Sequence, residues 1–149
     1  MGAENLGETP LDQQISEFLE KAVKLVSGQR GLVVTPIQGS QDMQVRAAHN
    51  LDLESVWSSG QISQTILRKV ASDQQALLTH NAMQDPRFAD TTSVVIQGLR
   101  SVICVPLQLN DRFWGVLYVD NPIYAGAFKP ANLTQLKEFA GQISAAVQS

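Results

Sequence analysis

The apolar and polar positions between residues 100 and 121 follow the pattern of a β-hairpin. Two long apolar runs flank the pair Asn110-Asp111, which favours a tight two-residue turn. A hairpin with so few polar positions needs cover on both faces. We therefore expect these two strands at the centre of a sheet that lies between other layers.

A two-residue turn would fix the register of this hairpin, because Leu109 then lies opposite Arg112 and the remaining pairs follow by counting. The expected pairs are Leu107 with Trp114, Val105 with Val116, Ile103 with Tyr118, and Ser101 with Asp120. These side chains would share one face, which mixes aliphatic groups with a phenol, an indole, a hydroxyl and a carboxylate. Such a mixture is typical of one wall of a small-molecule pocket. The alternative is that Tyr118 and Asp120 are half-exposed strand ends.

Helical periodicity predicts an amphipathic helix at each end of the chain. Both helices carry an apolar stripe at alternating three- and four-residue spacing, and each has further apolar residues beside that stripe. One stripe is enough to cover a sheet, so the second predicts either packing of the two helices on each other or a dimer. The residues predicted for a dimer interface are Leu11, Ile15, Phe18, Ala22, Leu136, Ala140, Ile143 and Val147.

Shorter segments fill the middle of the chain. Residues 30–36 and 43–48 are predicted as strands joined by a Gly-Ser turn, and a helix follows Ser63. A short strand at 76–79 and a helix at 91–98 come before the hairpin. This order predicts an α+β fold, with an antiparallel sheet between the terminal helices on one face and other segments on the opposite face.

Six segments spread along the chain carry the pattern of one known family. They are GLVVTP at 31–36, SQTILRKV at 63–70, NAMQDPRF at 81–88, LRSVICVPL at 99–107, FWGVLYVDN at 113–121 and LTQLKEFAGQISAAV at 133–147. Together they resemble the GAF domain, a sensory module of signalling proteins. They occur in the family's order, and the related PAS fold is the main structural rival. The resemblance implies a sheet of about six strands and a ligand pocket on the face away from the terminal helices. It also implies a tail or linker at 1–10 and a GAF domain at 11–149.

The resemblance implies a regulatory, non-catalytic domain of a bacterial signal-transduction or transcription-regulatory protein. It would sense a small molecule and relay the ligand state through the terminal helices. The residues expected to line the site are Ser101, Ile103, Val105, Val116, Tyr118 and Asp120, with Trp57, Met83 and Phe88 from the covering segments. The alternative is a ligand-free homodimerisation module. Cyclic nucleotide binding is less favoured, because Val105 stands where an aromatic residue would stack on the base.

The sequence offers little for catalysis. Its single cysteine, Cys104, is expected on the helix-covered face as an inert thiol, and it cannot support the several-cysteine chemistry of the family's free methionine sulfoxide reductases. His49 and His80 are far apart and lack the spacing of a metal site. We expect no enzyme activity, no catalytic residues and no metal, and the sequence names no cofactor.

The bulk properties narrow the choice of partners. The net charge of -3 gives no basic footprint, so direct binding to nucleic acid is not expected. No run approaches the roughly 18 apolar residues of a membrane span, and the first residues lack the features of a secretory signal. A lone cysteine fits a reducing compartment, so a cytoplasmic location is expected. The expected partners are a small molecule and a second copy of the chain.

Overall fold

The computed structural model describes residues 10–37, 39, 42–51, 64–79, 101–109, 111–121 and 127–148. The helices are α1 (Pro10–Leu25), α2 (Gln64–Asp73) and α3 (Pro130–Gln148). The strands are β1 (Arg30–Pro36), β2 (Met43–His49), β3 (Leu77–Thr79), β4 (Ser101–Leu109) and β5 (Arg112–Asn121). The helices and strands predicted within these ranges are confirmed, most with ends that shift by one or two residues.

The five strands form one antiparallel sheet in the order β2-β1-β5-β4-β3. The α+β class with an antiparallel sheet is confirmed. The sheet has five strands in the described part of the chain, so the sixth strand implied by the resemblance is not confirmed there. The predicted helix at 91–98 lies outside the described residues.

The β4–β5 hairpin is confirmed, but its predicted register is wrong beyond the turn. Leu109 does lie opposite Arg112, and Asp111 in the turn adopts a φ of +63°. A β-bulge follows, because Gln108 pairs with Phe113 whereas Leu107 pairs with Gly115. Trp114 is the extra residue. Every later pair is displaced by one position, so the faces of β4 are exchanged relative to those of β5.

A second bulge in β2 breaks another expected alternation. Val33 pairs with Ala47 but Val34 pairs with Val45, which leaves Arg46 as the extra residue. The sequence predicts Met43, Val45 and Ala47 on one face of this strand. That expectation is wrong, since Ala47 packs on one side of the sheet and Val45 on the other.

Two apolar clusters lie on opposite sides of the sheet. On the first side, which we call the helix face, α1 and α3 pack on residues such as Val33, Ile103, Val105 and Leu117. On the second side, the α2 face, helix α2 packs on the sheet. The α2-face cluster contains Leu32, Val34, Ile66, Leu67, Val70, Leu77, Val102, Cys104, Val116 and Tyr118.

Both apolar stripes of α1 are buried within the chain except at the end of the helix, where Leu25 is exposed. Of the residues predicted for a dimer interface, Ile15, Phe18, Ala22, Leu136, Ala140 and Ile143 are buried in the helix-face cluster, and Leu11 packs at its edge. The described contacts of these side chains are therefore intramolecular. The side chain of Val147 lies outside the described residues.

Glycine is required at one position next to the β5 bulge. A Cβ built on Gly115 would overlap the main-chain carbonyl oxygen of Val34 in β1, which cannot move without distorting the sheet. A Cβ on Gly141, on an exposed face of α3, would meet no heavy atom within 4 Å. The same substitution should therefore have opposite effects at these two sites.

We predict that Gly115→Ala lowers the free energy of unfolding by about 1–3 kcal/mol, the usual cost of overpacking. Gly141→Ala should raise it by about 0.5–1 kcal/mol, because alanine is the better helix former. Urea unfolding of both variants against the parent chain measures the two changes. Equal effects at the two positions would contradict the observed approach of β1 to β5.

Candidate functional site

The most distinctive group on the α2 face is a buried carboxylate with three hydrogen bonds. Asp120 Oδ1 accepts a hydrogen bond from Arg30 Nε at 2.9 Å. Asp120 Oδ2 accepts from Arg30 Nη2 at 2.6 Å and from the Tyr118 hydroxyl at 2.6 Å. The side chains of Asp120 and Arg30 are 0% and 17% exposed. We call Arg30, Tyr118 and Asp120 the carboxylate cluster.

Strand pairing explains why these three residues meet. Arg30, the first residue of β1, lies directly opposite Asp120 in β5. Tyr118 is two residues before Asp120, so both side chains point to the same side of the sheet. The sheet continues this row through Val102 in β4 to Thr79 in β3. The cluster is thus held by main-chain ladders across the sheet and does not depend on a loop.

The hydrogen bonds favour the ionised form of the Arg30–Asp120 pair. Burial raises the pKa of the Asp120 carboxyl, and the hydrogen bonds and charge of Arg30, with the Tyr118 hydroxyl, offset part of that rise. Burial alone would lower the pKa of Arg30, but Asp120 more than offsets this and the pKa is raised. Two of these three bonds come from the guanidinium of Arg30, which stays protonated, and such charge-assisted bonds are stronger to a carboxylate than to a neutral carboxyl. We conclude that the pair is charged.

The neighbouring phenol and thiol are held in their neutral forms. Burial, followed by the nearby charge of Asp120, raises the pKa of Tyr118 well above its ordinary value. The same two causes raise the pKa of the Cys104 thiol well above its ordinary value. Cys104 pairs with Tyr118 across the two central strands. A fully buried, neutral thiol is a poor nucleophile, so Cys104 is not a candidate for covalent chemistry.

The structure brings together only part of the predicted ligand site. Val116, Tyr118 and Asp120 share the α2 face, as expected. Ser101, Ile103 and Val105 were expected beside them, and this placement is wrong, since they alternate onto the helix face. Cys104 was expected on the helix face and instead lies on the α2 face. The displacement caused by the Trp114 bulge accounts for all of these differences. Trp57, Met83 and Phe88 lie outside the described residues.

Sequence reasoning missed Arg30, Val102 and Cys104 as members of this face. For Arg30 a signal was present, because a lone arginine opens an otherwise apolar strand and a lone aspartate ends another. Paired charges of this kind are expected where two apolar strands are neighbours. The sequence did not indicate that β1 and β5 are neighbours, and the ion pair therefore went unpredicted.

A second polar contact lies on the helix face, at the other end of α1. Arg46, the bulged residue of β2, lies 3.4 Å from Asp12 of α1, with its Nη2 toward Oδ1. Its guanidinium carbon is 5.8 Å from the ring centroid of Trp114, the bulged residue of β5. The two bulges thus place a cation over an aromatic ring beside the first turn of α1.

The described residues also bear on metal sites and on membrane crossing. Within the described ranges, no three His, Cys, Asp or Glu side chains come together as metal ligands. Helices in the same ranges are too short or too polar for any of them to cross a membrane.

Comparison with known families identifies the fold. The model of the GAF domain family matches residues 10–147. The chain belongs to the GAF domain family. This match confirms the family assignment made from the quoted segments. A comparison with curated proteins found no sequence match.

Solved structures of several GAF domains and related proteins superpose on almost the whole chain. GAF3 of a Synechocystis protein, in its photoproduct state, has a TM-score of 0.75 at 15% identity and covers 92% of both chains. A domain described as part of a two-component sensor histidine kinase from Sinorhizobium meliloti has a TM-score of 0.69 at 14% identity, covering 95% of this chain and 93% of its own. These similarities show the fold alone. The similar structures include a domain from a signalling protein.

One similar structure is an enzyme. A type II free methionine-R-sulfoxide reductase from Thermoplasma acidophilum has a TM-score of 0.70 at 12% identity and covers 92% of both chains. The likeness again shows the fold alone. It means that membership in this fold does not decide whether the present domain is catalytic.

The buried phenol gives a prediction for alkaline pH. At a pH where an exposed phenol, with a pKa of about 10, begins to ionise, the native chain should ionise no more tyrosine than Tyr118→Phe does, because burial and Asp120 raise the pKa of Tyr118 well above its ordinary value. In denaturant the parent should show one more phenolate than the variant. A raised folded-state pKa stabilises the fold below about pH 10, and this contribution is lost as the pH rises toward the folded-state value. Absorbance near 295 nm measures the tyrosine titration of the two chains, both in the native state and in denaturant. Extra native-state titration in the parent would contradict the assignment.

Proposed function

We propose that this GAF domain is a regulatory, non-catalytic sensor of a small molecule in a bacterial signalling or transcription-regulatory protein. In this proposal the ligand binds on the α2 face and its presence is relayed to the terminal helices. The observation that carries the proposal is the contrast between the two faces of the sheet. The helix face is filled by apolar side chains of α1 and α3, whereas the α2 face holds the carboxylate cluster.

The energetic argument concerns the cost of burying charge. A buried ion pair contributes little to stability compared with well-packed apolar residues, because both ions lose their hydration. Within the described residues, Asp120 is the one carboxyl group classed as buried. A stable core alone does not require it. Polar groups with shifted pKa values on an otherwise apolar wall are common at binding sites, and this supports the α2 face as the site.

The observed register changes the proposed site residues. Val116, Tyr118 and Asp120 remain from the predicted set, and Arg30, Val102 and Cys104 replace Ser101, Ile103 and Val105. Trp57, Met83 and Phe88 remain proposed contacts from the covering segments. The wall is apolar with one polar end, so we expect a ligand with an apolar or aromatic body and one hydrogen-bonding group. The acidic net charge of -3 supports a partner other than nucleic acid, and the unpaired Cys104 supports a cytoplasmic location.

Two matched variants test which face binds the ligand. Val116→Leu adds a methylene group to the α2 face, and Val105→Leu adds the same group to the helix face; both valines are buried. The probe is a metabolite extract below about 1 kDa. We expect this extract to raise the melting temperature of the parent by a few degrees, as a ligand at a concentration of about 100 times its Kd would. The shift should be smaller in Val116→Leu and preserved in Val105→Leu.

Native mass spectrometry of the protein as purified provides the second measurement. A bound molecule should appear in the parent and in Val105→Leu and be reduced in Val116→Leu. The proposal fails if no mass is added and the extract leaves the melting temperature unchanged. It also fails if both variants lose the ligand equally.

We also propose, as a compatible or alternative function, that the terminal helices mediate homodimerisation. Phe18 of α1 and Phe139 of α3 stack with ring centroids 4.8 Å apart and planes inclined by 2°. They lie in a groove of about 190 Å³ between the two helices, with Glu17, Lys21 and Gln142 at its sides. A groove that combines an aromatic pair with charges of both signs suits contact with a second copy of itself.

Charge reversals on α1 test the dimer. Glu17→Lys changes a residue of the groove, whereas Glu20→Lys changes an exposed residue of the same helix that pairs with Lys24 at 2.9 Å. We expect Glu17→Lys to weaken the dimer by about tenfold, a typical effect of one interfacial charge, and Glu20→Lys to leave its dissociation constant nearly unchanged. Light scattering over a concentration series measures both. A strictly monomeric parent at about 1 mM, a concentration at which even weak pairs form, would rule the dimer out.

A further inference from the structure

We propose that the carboxylate cluster couples the α2 face selectively to the C-terminal end of α1. This inference rests on the proposed function, since it names the route by which a ligand on that face would act. In this inference Tyr118 is the residue of the cluster that faces the ligand. Asp120 and Arg30 are positioning residues that hold the junction between α1 and β1. The second terminal helix, α3, is attached by a different contact.

The junction is hydrogen-bonded to Asp120 directly. The main-chain carbonyl of Asp120 accepts a hydrogen bond from the Gln29 amide at 2.9 Å. The Gln29 carbonyl in turn accepts from Asn50 Nδ2 at 2.9 Å. The side chain of Asp120 is at the same time bound twice by Arg30, the next residue after Gln29. One residue of β5 therefore holds two consecutive residues of the junction, through its main chain and its side chain.

Close packing transmits any shift of this junction to α1. Helix α1 ends with the Gly28 amide donating to the Val23 carbonyl at 2.9 Å, while Ser27 adopts a left-handed φ of +58°. Gly28 and Gly31 both lack room for a Cβ: the first is against Val119 of β5, the second against Val23 of α1. The last turns of α1 therefore lie directly on β1 and β5. Because such a close-packed interface is hardly compressible, a displacement of the junction should move the end of α1.

Tyr118 is the member of the cluster that faces the proposed ligand. Its ring packs in the same cluster as Ile66, Leu67 and Val70 of α2, so any shift of α2 bears on the phenol. Its hydroxyl donates to Asp120 at 2.6 Å in a buried setting. A hydrogen bond to a charged group is strong there, because the local dielectric is low. Losing or bending that bond should weaken the hold of Asp120 on the junction.

The segment before α3 is held by a serine side chain on the helix face of the sheet. The Ala127 amide, shortly before α3, donates to Ser101 Oγ at 2.9 Å. Ser101 lies on the helix face, on the side of β4 that carries Ile103 and Val105. Both terminal helices pack on the helix face, but among the described contacts it is the α1 anchor that includes Asp120, whose Oδ2 also accepts from the phenol. The amides of Gln29 and Ala127 report separately on the two anchors.

Residue-resolved hydrogen exchange of the full chain tests the coupling without any ligand. In Tyr118→Phe, which removes only the hydroxyl, we expect exchange of the Gln29 amide to rise about tenfold, as expected for loss of one hydrogen bond to a charged group. Exchange at Ala127 should stay within about twofold of the parent, a change too small to represent a lost hydrogen bond. Ser101→Ala is the matched control, and it should accelerate Ala127 and leave Gln29 unchanged. The amide of Val33, in the centre of β1, reports any general loss of stability.

Two outcomes would overturn the proposal. One is an unchanged Gln29 amide in Tyr118→Phe, and the other is an equal rise at Gln29, Ala127 and Val33, which is the signature of general destabilisation. Because no ligand is used, failure here would leave a ligand on the α2 face untouched. Failure to find a ligand would equally leave the measured coupling in place, so the two proposals are tested separately.

Discussion

The bidentate contact between Arg30 and Asp120 is the constraint on which the arrangement of this domain depends. It joins the first residue of β1 to the end of β5, at the corner where α1 enters the sheet. Breaking one side of such a buried pair typically costs about 3–5 kcal/mol, while replacing both sides with apolar groups can cost nothing. The contact is therefore better explained by geometry than by stability: a one-residue slip of β1 against β5 would leave both charges buried and unpaired.

The β5 bulge at Trp114 determines which chemistry each face of the sheet receives. Without it, Ile103 and Val105 would stand beside Tyr118, and the thiol would pack under the terminal helices. With it, Cys104 lies opposite Tyr118, and the helix face becomes uniformly aliphatic at the centre. The residue after the bulge, Gly115, allows the β1 main chain to approach closely. The extra residue Trp114 and the absence of a side chain at Gly115 thus give the sheet one apolar packing face and one face with buried polar groups.

The features that the sequence predicted are those encoded by neighbouring residues. The strand at Arg30–Pro36, the helix with Ile66, Leu67 and Val70, and the turn after Leu109 all follow from local periodicity and turn chemistry. The register failed because a bulge leaves no mark in an alternating apolar run: FWGVLYVD reads equally well with or without one. The ion pair was missed because its partners are 90 residues apart and β1 reaches β5 only through the sheet order. Likewise, almost all of both stripes of α1 is buried, because the sheet and α3 together cover more of the helix than one stripe.

The common fold leaves open how a GAF domain is used, since photoproduct-forming, kinase-associated and methionine sulfoxide reductase structures all share it at 12–15% identity. What distinguishes this chain must lie in particular side chains. Its two terminal helices are anchored unequally: α1 through a carbonyl of the residue whose carboxylate holds the phenol, and α3 through a serine on the helix face. If both helices were held by equivalent contacts, an event on the α2 face would move both ends of the chain alike. Because the contacts differ, such an event can displace the end of α1 more than α3. A partner protein could recognise that difference between the two helices.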